Sequence, residues 1–206
     1  MSSISETTET DLQEFVLVSK ADPVCEKVVL TPKFEEEIYS SGRYEIVYGE
    51  IQERSMPSPI HGRIQAEISA ELRNFVKPNK LGAVYTETHF EFAERLSRVP
   101  DIAFVSFERF PEEGEDESSR WHIAPDLAVE IISPTDDYEE VQEKITEYFT
   151  FGVRQVWIVS PESKTVSIYF SRTSVKIFTD KDELIGEEIL KGFRINLSEI
   201  FQSPKS

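Results

Sequence analysis

The chain has 206 residues, 39% of them hydrophobic, which is long enough for one domain with a buried core. Its apolar runs are too short to span a membrane, and the single cysteine, Cys25, excludes a disulfide framework, so we expect a cytoplasmic protein in a reducing compartment. The net charge of −17 excludes a protein that binds nucleic acid with its whole surface, because phosphate contacts require Lys and Arg, although a local basic face can persist.

Composition along the chain predicts one domain with short tails. The N-terminus is rich in Ser, Thr and Glu and lacks the apolar segment of a signal peptide, so we expect it to be a loose tail. The predicted divisions are a tail over residues 1–25, one domain with an N-terminal helix and hairpin over 26–202, and a tail over 203–206.

The first predicted elements are a short helix and a hairpin. Thr31 before a proline is typical of a helix start, and Gly42 ends the helix. Alternating residues on both sides of a Tyr-Gly turn predict a hairpin over residues 44–51. Its glutamates, Glu45 and Glu50, either reach a site or are exposed strand residues, which is the commoner case.

A second helix begins at Ser58, which caps it, with a proline in its first turn. At about 100° per residue, one stripe of this helix is formed by His61, Ile64, Ile68, Leu72 and Phe75. His61 is therefore either a satisfied core histidine or a polar group directed at a site on the sheet. This helix and the residues after it are the most basic part of the chain. The basic residues, which either contact phosphates or form a solvated helix face, are Arg63, Arg73, Lys77 and Lys80.

Strands follow this helix. Gly82 begins a strand predicted over residues 83–92, and the motif Val99-Pro100-Asp101 opens an apolar strand over 102–105. Here an acid lies beside a proline at the mouth of a strand. The acidic segment 108–120 that follows is predicted to be a surface loop.

The most informative stretch is the apolar run 124–134, which contains the carboxylates Asp126 and Glu130. Its apolar and β-branched residues, bounded by proline, predict a buried strand. Because alternate residues of a strand share a face, Asp126 and Glu130 point one way and the alternate apolar residues point into a core. A buried carboxylate must be paired, hydrogen-bonded or bound to a cation. Glu130 is thus a candidate functional residue, or else part of an internal salt bridge or a wet sheet edge.

The next predicted helix spans residues 136–151 and stops at Gly152. Its buried stripe comprises Val141, Ile145, Tyr148 and Phe149. Lys144 borders this stripe, so it either brings its ammonium over the sheet or is a snorkelling surface lysine. The remaining predicted strands, which complete the sheet before a final turn at 198–201, are 153–160, 165–170, 174–178, 186–190 and 192–197.

Asp101 and Glu130 on neighbouring strands, with Lys144 on the following helix, suggest a reaction. Two such carboxylates can share a divalent cation, and hard oxygen ligands suit Mg²⁺ or Mn²⁺. The ion polarises a phosphoryl oxygen and lowers the pKa of a bound water. A lysine nearby can position that water or stabilise charge on phosphorus. These roles describe metal-dependent phosphodiester hydrolysis.

The Val99-Pro100-Asp101 motif followed by Glu130 resembles the PD-(D/E)xK nuclease pattern. From about residue 44 to residue 201, the chain more closely resembles the Uma2 family, also called DUF820, of restriction-endonuclease-like proteins. The further matching motifs are Tyr44-Glu45-Ile46-Val47-Tyr48-Gly49-Glu50, Ser58-Pro59-Ile60-His61, the run 124–134, Lys144 with Tyr148, Gly152-Val153 and Val156-Trp157-Ile158-Val159.

The resemblance implies an α/β (α+β) fold with a restriction-endonuclease-like core, a central mixed sheet flanked by helices. It implies Asp101 and Glu130 as ligands of Mg²⁺ (or Mn²⁺) and Lys144 as the catalytic lysine. The family pattern usually places the lysine two residues after the acid, where this chain has Ile132. The resemblance therefore implies a lysine that has moved to the following helix. His61 matches a family position, and Asp126 is either a further acid of the site or a strand-entry cap.

Three functions are consistent with these residues. The first is a Mg²⁺-dependent DNA endonuclease, expected to be a homodimer through exposed sheet edges and the Trp157 strand, because a two-fold dimer suits cleavage of two strands. The second is a non-catalytic binding or regulatory module, and the third is a metal-dependent hydrolase of a small phosphorylated molecule. A basic groove near Glu130, built from Arg63, Arg73 or Lys77, would favour DNA. A uniformly acidic mouth would favour the small substrate or the absence of catalysis.

Overall fold

The computed structural model describes residues 14–18, 26–29, 32–112, 114–115 and 120–203. The helices are α1 (Pro32–Ser41), α2 (Pro59–Val76), α3 (Tyr138–Thr150) and α4 (Leu197–Phe201). The strands up to the candidate site are β1 (Glu14–Val18), β2 (Glu26–Val29), β3 (Tyr44–Val47), β4 (Glu50–Glu53), β5 (Gly82–Thr86), β6 (His89–Ala93), β7 (Leu96–Arg98), β8 (Ile102–Ser106), β9 (Arg120–Trp121) and β10 (Leu127–Ile131). The later strands are β11 (Gln155–Ser160), β12 (Thr165–Ser171), β13 (Ser174–Thr179), β14 (Glu183–Ile185) and β15 (Arg194–Asn196).

Two large sheets dominate the fold. One has the strand order β2-β1-β4-β3-β7-β6-β9, and the other has the order β13-β12-β11-β10-β8-β5. The second sheet is mixed, because β10 runs parallel to β11 and antiparallel to β8. The predicted α+β architecture, with a mixed sheet flanked by helices, is thereby confirmed.

Strand β10 is the centre of the second sheet and is covered on both faces. On one face Leu127, Val129 and Ile131 join the main core with Ile64, Ile68 and other buried residues of α2. On the other face Ala128 joins a smaller core with side chains of α3. The alternation predicted for this strand is confirmed, and it explains why nearly every residue of the strand is buried.

The predicted helix ends are found where expected. The Ser58 side chain accepts a hydrogen bond from the backbone N–H of His61 at the start of α2, with proline next in the chain. Asp137 caps α3 in the same manner, and Gly152 follows its end with a φ of +94°, a conformation that favours glycine. Thr31, the predicted cap of α1, lies outside the described residues.

The structure corrects three strand predictions. The strand predicted over 83–92 is two strands, β5 and β6, which belong to different sheets and are separated at Glu87, where φ is +51°. The predicted strand 186–190 is not a strand but part of the turn between β14 and β15. Strand β15 lies within the predicted 192–197 but does not extend the main sheet, since among the described residues β14 and β15 pair only with each other. The connection before Asp101 contains the additional strand β7.

Two further expectations concern the N-terminal tail and the dimer contact. Within residues 1–25, predicted to be a loose tail, β1 pairs with β2 and β4; the rest of that range, with Cys25, lies outside the described residues. The Trp157 strand, expected to contribute to a dimer contact, is β11, an interior strand of its sheet, and Trp157 itself is buried. No helix within the described ranges is long and apolar enough to cross a membrane.

Candidate active site

A cleft of about 680 Å³ is bounded by side chains from both large sheets and from helices α2 and α3. It brings together four of the five residues predicted for the site: His61, Asp101, Glu130 and Lys144. These side chains come from widely separated parts of the sequence, so the cleft is a product of the fold. Asp126, the fifth predicted residue, does not line the cleft.

Asp101 lies at the entrance to β8 and is only 3% exposed. Its Oδ2 accepts a hydrogen bond of 2.7 Å from the backbone N–H of Ile131 on β10, which ties the two carboxylate-bearing strands together. Its Oδ1 accepts a hydrogen bond of 3.1 Å from Arg54 and lies 3.2 Å from Nε2 of His61. Burial alone would lower the pKa of His61, but the Asp101 carboxylate raises it above its ordinary value. His61 is therefore oriented toward the site.

Glu130 is 8% exposed and is held from the helix side. The hydroxyl of Tyr148 on α3 donates a hydrogen bond of 2.5 Å to Oε1 of Glu130, and Nζ of Lys144 lies 3.6 Å from Oε2. Burial raises the pKa of Glu130 to about 7, with Lys144 opposing this effect and the charge of Asp101 adding to it. The carboxyl therefore titrates near neutrality.

Lys144 points into the cleft. Its ammonium lies 3.2 Å from Glu45 of β3, closer than it lies to Glu130. Burial would lower the pKa of Lys144, but Glu130 and Glu45 raise it above the ordinary lysine value, so the side chain is a cation at neutral pH. The lysine on α3 thus occupies a position beside the Glu130 carboxylate.

A network of buried charges surrounds Lys144. Arg98 at the end of β7 donates hydrogen bonds to Glu45, at 2.9 Å, and to Glu147 of α3, at 2.7 Å. Glu45 also accepts a hydrogen bond of 3.0 Å from the backbone N–H of Val99. Burial would raise the pKa of Glu45, yet the charges of Lys144 and Arg98 hold it well below its usual range. Glu45 is therefore a permanent anion.

The arginines Arg54 and Arg98 of this cleft are not among the site residues predicted from the sequence. Neither is Tyr148, which does not line the cleft but donates a hydrogen bond to Glu130. Tyr148 carries a signal in the sequence, since it lies four residues after Lys144 and helical residues at that spacing share a face. Arg98 stands three residues before Asp101, where the sequence offers no periodicity that distinguishes it from a surface arginine. Arg54 follows β4 and reaches Asp101 only because the fold brings the end of β4 close to the start of β8.

Asp126 performs a structural task at the other end of β10. It is 1% exposed, and its Oδ2 accepts a hydrogen bond of 2.7 Å from the backbone N–H of Ser106. Its Oδ1 lies 3.1 Å from Arg109 and 3.3 Å from Arg154. Of the two alternatives for Asp126, these contacts fit the strand-entry cap. Asp126 directly precedes β10 and Glu130 lies near the strand's other end, so the two carboxylates do not meet in the cleft.

Charge around the cleft is predominantly acidic. The exposed and half-exposed carboxylates that line it are Glu53, Asp136, Glu140, Glu143 and Glu162. Its lysine and arginine residues, Arg54, Arg98 and Lys144, each contact a carboxylate. The basic residues of α2 lie elsewhere: Arg63 donates to the Ile200 carbonyl, while Arg73 and Lys77 line a different depression. The basic groove that would favour DNA is therefore not formed by these residues.

The donors of the cleft suit a divalent cation. No group of three or more His, Cys, Asp or Glu side chains in the described part of the chain forms a preformed metal cage. Mg²⁺ is usually held by only one or two carboxylates, with water and substrate phosphate completing the shell. Asp101 and Glu130, which both line the cleft, match that number of carboxylates. Burial is the main cause of the raised pKa of Glu130, and a bound cation would favour the charged form of this carboxyl.

Comparisons with known proteins identify the family and support the fold. A family called Uma2, described as "putative restriction endonuclease", matches residues 32–198. A crystal structure from Anabaena variabilis ATCC 29413, described as a putative nuclease belonging to DUF820, is similar with a TM-score of 0.69 and 25% sequence identity. The similarity covers 77% of this chain and 89% of that chain. Among curated proteins, none matches.

Proposed function

The chain belongs to the Uma2 family, and we propose that it is a Mg²⁺- or Mn²⁺-dependent endonuclease that hydrolyses DNA phosphodiester bonds. The observation that carries this proposal is the convergence of Asp101, Glu130 and Lys144 in one cleft, with the lysine ammonium 3.6 Å from the Glu130 carboxylate. These groups match the residue types that phosphodiester hydrolysis needs: oxygen ligands for a cation and a fixed positive charge.

Each residue has a role in this proposal. Asp101 and Glu130 hold the ion, which when bound supplies Lewis acidity and a water of lowered pKa. Lys144 stabilises the negative charge that develops on the phosphoryl oxygens as the bond to the leaving group breaks. Tyr148 fixes the Glu130 carboxylate by its hydrogen bond, and Arg54 with His61 fixes Asp101.

The proposal is tested by nicking of supercoiled plasmid in Mg²⁺ or Mn²⁺. Wild type is expected to nick, and Asp101→Asn and Glu130→Gln are each expected to abolish nicking while the circular dichroism spectrum is retained. Glu67→Gln removes one carboxylate from the exposed face of α2, outside the cleft, and is the matched control. A wild type that does not nick in either metal, or a Glu130→Gln variant that nicks normally, would overturn the proposal.

A homodimer is part of the same proposal. Strand β13 is an edge of the second sheet, and Val175 and Ile177 on it are exposed. An edge strand with apolar side chains can pair with a second copy of the chain, and a two-fold dimer would present two clefts to two strands. Multi-angle light scattering is expected to give the dimer mass, and a monomer mass at all concentrations would refute the dimer.

The acidic rim favours a second candidate, a hydrolase of a small phosphorylated molecule, since a long polyanion is repelled by the exposed glutamates. The same metal-loaded protein is then expected to hydrolyse bis(p-nitrophenyl) phosphate but not plasmid. If neither wild type nor Glu130→Gln hydrolyses either substrate, the cleft belongs to a non-catalytic binding or regulatory module.

A further inference from the structure

The position of Lys144 has to be explained, because it comes from a helix. A lysine two residues along β10 from Glu130 would be held by the strand's own geometry, but that place is occupied by Ile132. The ammonium of Lys144 lies at the end of a flexible four-carbon side chain. Its distance from Glu130 must therefore be fixed by a contact outside β10.

Glu45 provides the shortest contact that Lys144 makes with a carboxylate. The Nζ atom lies 3.2 Å from Oε1 and 3.2 Å from Oε2 of Glu45, against 3.6 Å from Oε2 of Glu130. A cation that lies between both oxygens of one carboxylate has little freedom to move sideways. Glu45 thus determines where the ammonium is placed.

Glu45 is itself rigidly held. Its Oε1 accepts from the backbone N–H of Val99, two residues before Asp101, and its Oε2 accepts from Arg98. The carboxylate is 3% exposed, and it belongs to β3, in the other large sheet from Glu130. A group that is fixed by Val99 to the segment leading to Asp101 and reaches α3 through Lys144 connects the two sides of the cleft.

We propose that Glu45 is the positioning residue for Lys144, which it holds beside Glu130 and ties to the segment that leads to Asp101. This inference rests on the proposed function. Glu45 acts through the lysine and does not itself touch the reacting atoms. When the lysine lies on the same strand as the acid, the strand geometry fixes its position. Here a carboxylate from the other sheet fixes the position of the lysine instead.

Kinetics of Glu45→Gln separate this role from general structural support. Its kcat is expected to fall about 100-fold, as with the loss of one charge-stabilising group, with KM and Mn²⁺ affinity within about twofold of wild type. Lys144→Ala is expected to lose about as much, and the double variant no more than either single variant, because residues that act as a unit are not additive. Losses that multiply in the double variant would overturn the inference.

Glu147→Gln is the matched control, since Glu147 is also buried and also binds Arg98, but makes no contact with Lys144 in the structure. It is expected not to show the non-additivity with Lys144→Ala. Should Glu45→Gln fail to fold, Glu45→Asp keeps the charge for Arg98 but withdraws the carboxylate by one methylene, and the same kinetic pattern is expected from it.

Crystal structures keep this inference separate from the proposed function. In Glu45→Gln, Nζ of Lys144 is expected to leave its position beside Glu130, while in Glu147→Gln it stays there. A lysine that keeps its place in Glu45→Gln would overturn the inference even if the enzyme cleaves DNA. A wild type without cleavage would refute the nuclease, and the movement of Lys144 would then decide the positioning role alone.

Discussion

At the scale of single residues, Glu130 has the environment with the clearest consequence. Burial raises its pKa from the ordinary 4.5 to about 7, although Lys144 lies beside it. In the unfolded chain the same carboxyl ionises near its ordinary value. The folded protein therefore binds a proton that the unfolded chain has released between about pH 4.5 and 7, and this proton must leave before Glu130 can bind a cation.

Metal affinity is accordingly expected to depend on pH. Below about pH 7 the ion competes with the proton on Glu130, so affinity should fall about tenfold for each pH unit, and above pH 7 it should level off. Calorimetric titration with Mn²⁺ at pH 6, 7 and 8 measures this. Proton release should accompany binding at pH 6 and vanish at pH 8. Equal affinity at all three values would contradict the role of Glu130 as a ligand.

Stability is expected to change in the same window. A raised carboxyl pKa favours the folded state below about pH 4.5, and this contribution is lost as the pH rises through about 7; the shift corresponds to about 3 kcal/mol. Glu130→Gln cannot ionise and should therefore be more stable than wild type at pH 8, by about 1–3 kcal/mol, with little gain at pH 5. Urea denaturation at the two pH values checks the sign, which Glu67→Gln should not reproduce.

At the scale of elements, the two ends of β10 have different roles. Glu130 faces the cleft near its end, while Asp126 at its entrance joins Ser106 of β8 with Arg109 and Arg154. One strand thus carries a carboxylate that serves the site and a carboxylate that holds neighbouring segments together. The two should respond to mutation in opposite ways.

Asp126→Ala is expected to lower the free energy of unfolding by about 3 kcal/mol, because a buried N–H and two arginines lose their acceptor. The variant should still bind Mn²⁺ with unchanged affinity under conditions where it is folded. Asp101→Asn should show the reverse, weak metal binding. Urea denaturation combined with calorimetry distinguishes the two, and loss of metal binding in Asp126→Ala would return that residue to the site.

Periodicity explains which elements can be predicted. The strand β10 and the helices α2 and α3 carry strong apolar patterns with caps, so their type, faces and ends are readable from the sequence. The break at Glu87 is not, because alternation continues across residues that turn from one sheet to the other. The pairing of Lys144 with Glu45, 99 residues apart, is set by packing between elements and has no local signal.

At the scale of the whole molecule, net charge and cleft charge have the same sign. The chain carries −17, the exposed charged residues that line the cleft are carboxylates, and the lysine and arginine residues of the cleft each contact a carboxylate. The long-range field therefore opposes approach of a polyanion, while the bound divalent cation would provide local attraction. Association with DNA is slowed by the negative charge of this surface, whereas cation binding in the cleft requires carboxylates.

The rate of DNA association is therefore expected to rise, not fall, when monovalent salt increases from about 10 to 150 mM, because screening weakens the repulsion. Stopped-flow anisotropy at constant Mg²⁺ measures this rate. Glu162→Lys on the rim should accelerate association at low salt more than Glu71→Lys on the exposed side of α2. A rate that falls as salt increases would contradict the repulsion inferred for this surface.

The helix-borne lysine makes the connection between β10 and α3 part of the cleft's geometry. The connection over residues 132–137 is tightly constrained. Asp136 accepts hydrogen bonds from Ser133, and Asp137, the next residue, caps the helix. One inserted residue that shifted α3 by one position would turn Lys144 by about 100° around the helix axis. Insertions and deletions in this loop should thus leave the sheet folded but abolish catalysis. Selection on the protein would therefore act on the length of the loop, independently of which residues it contains.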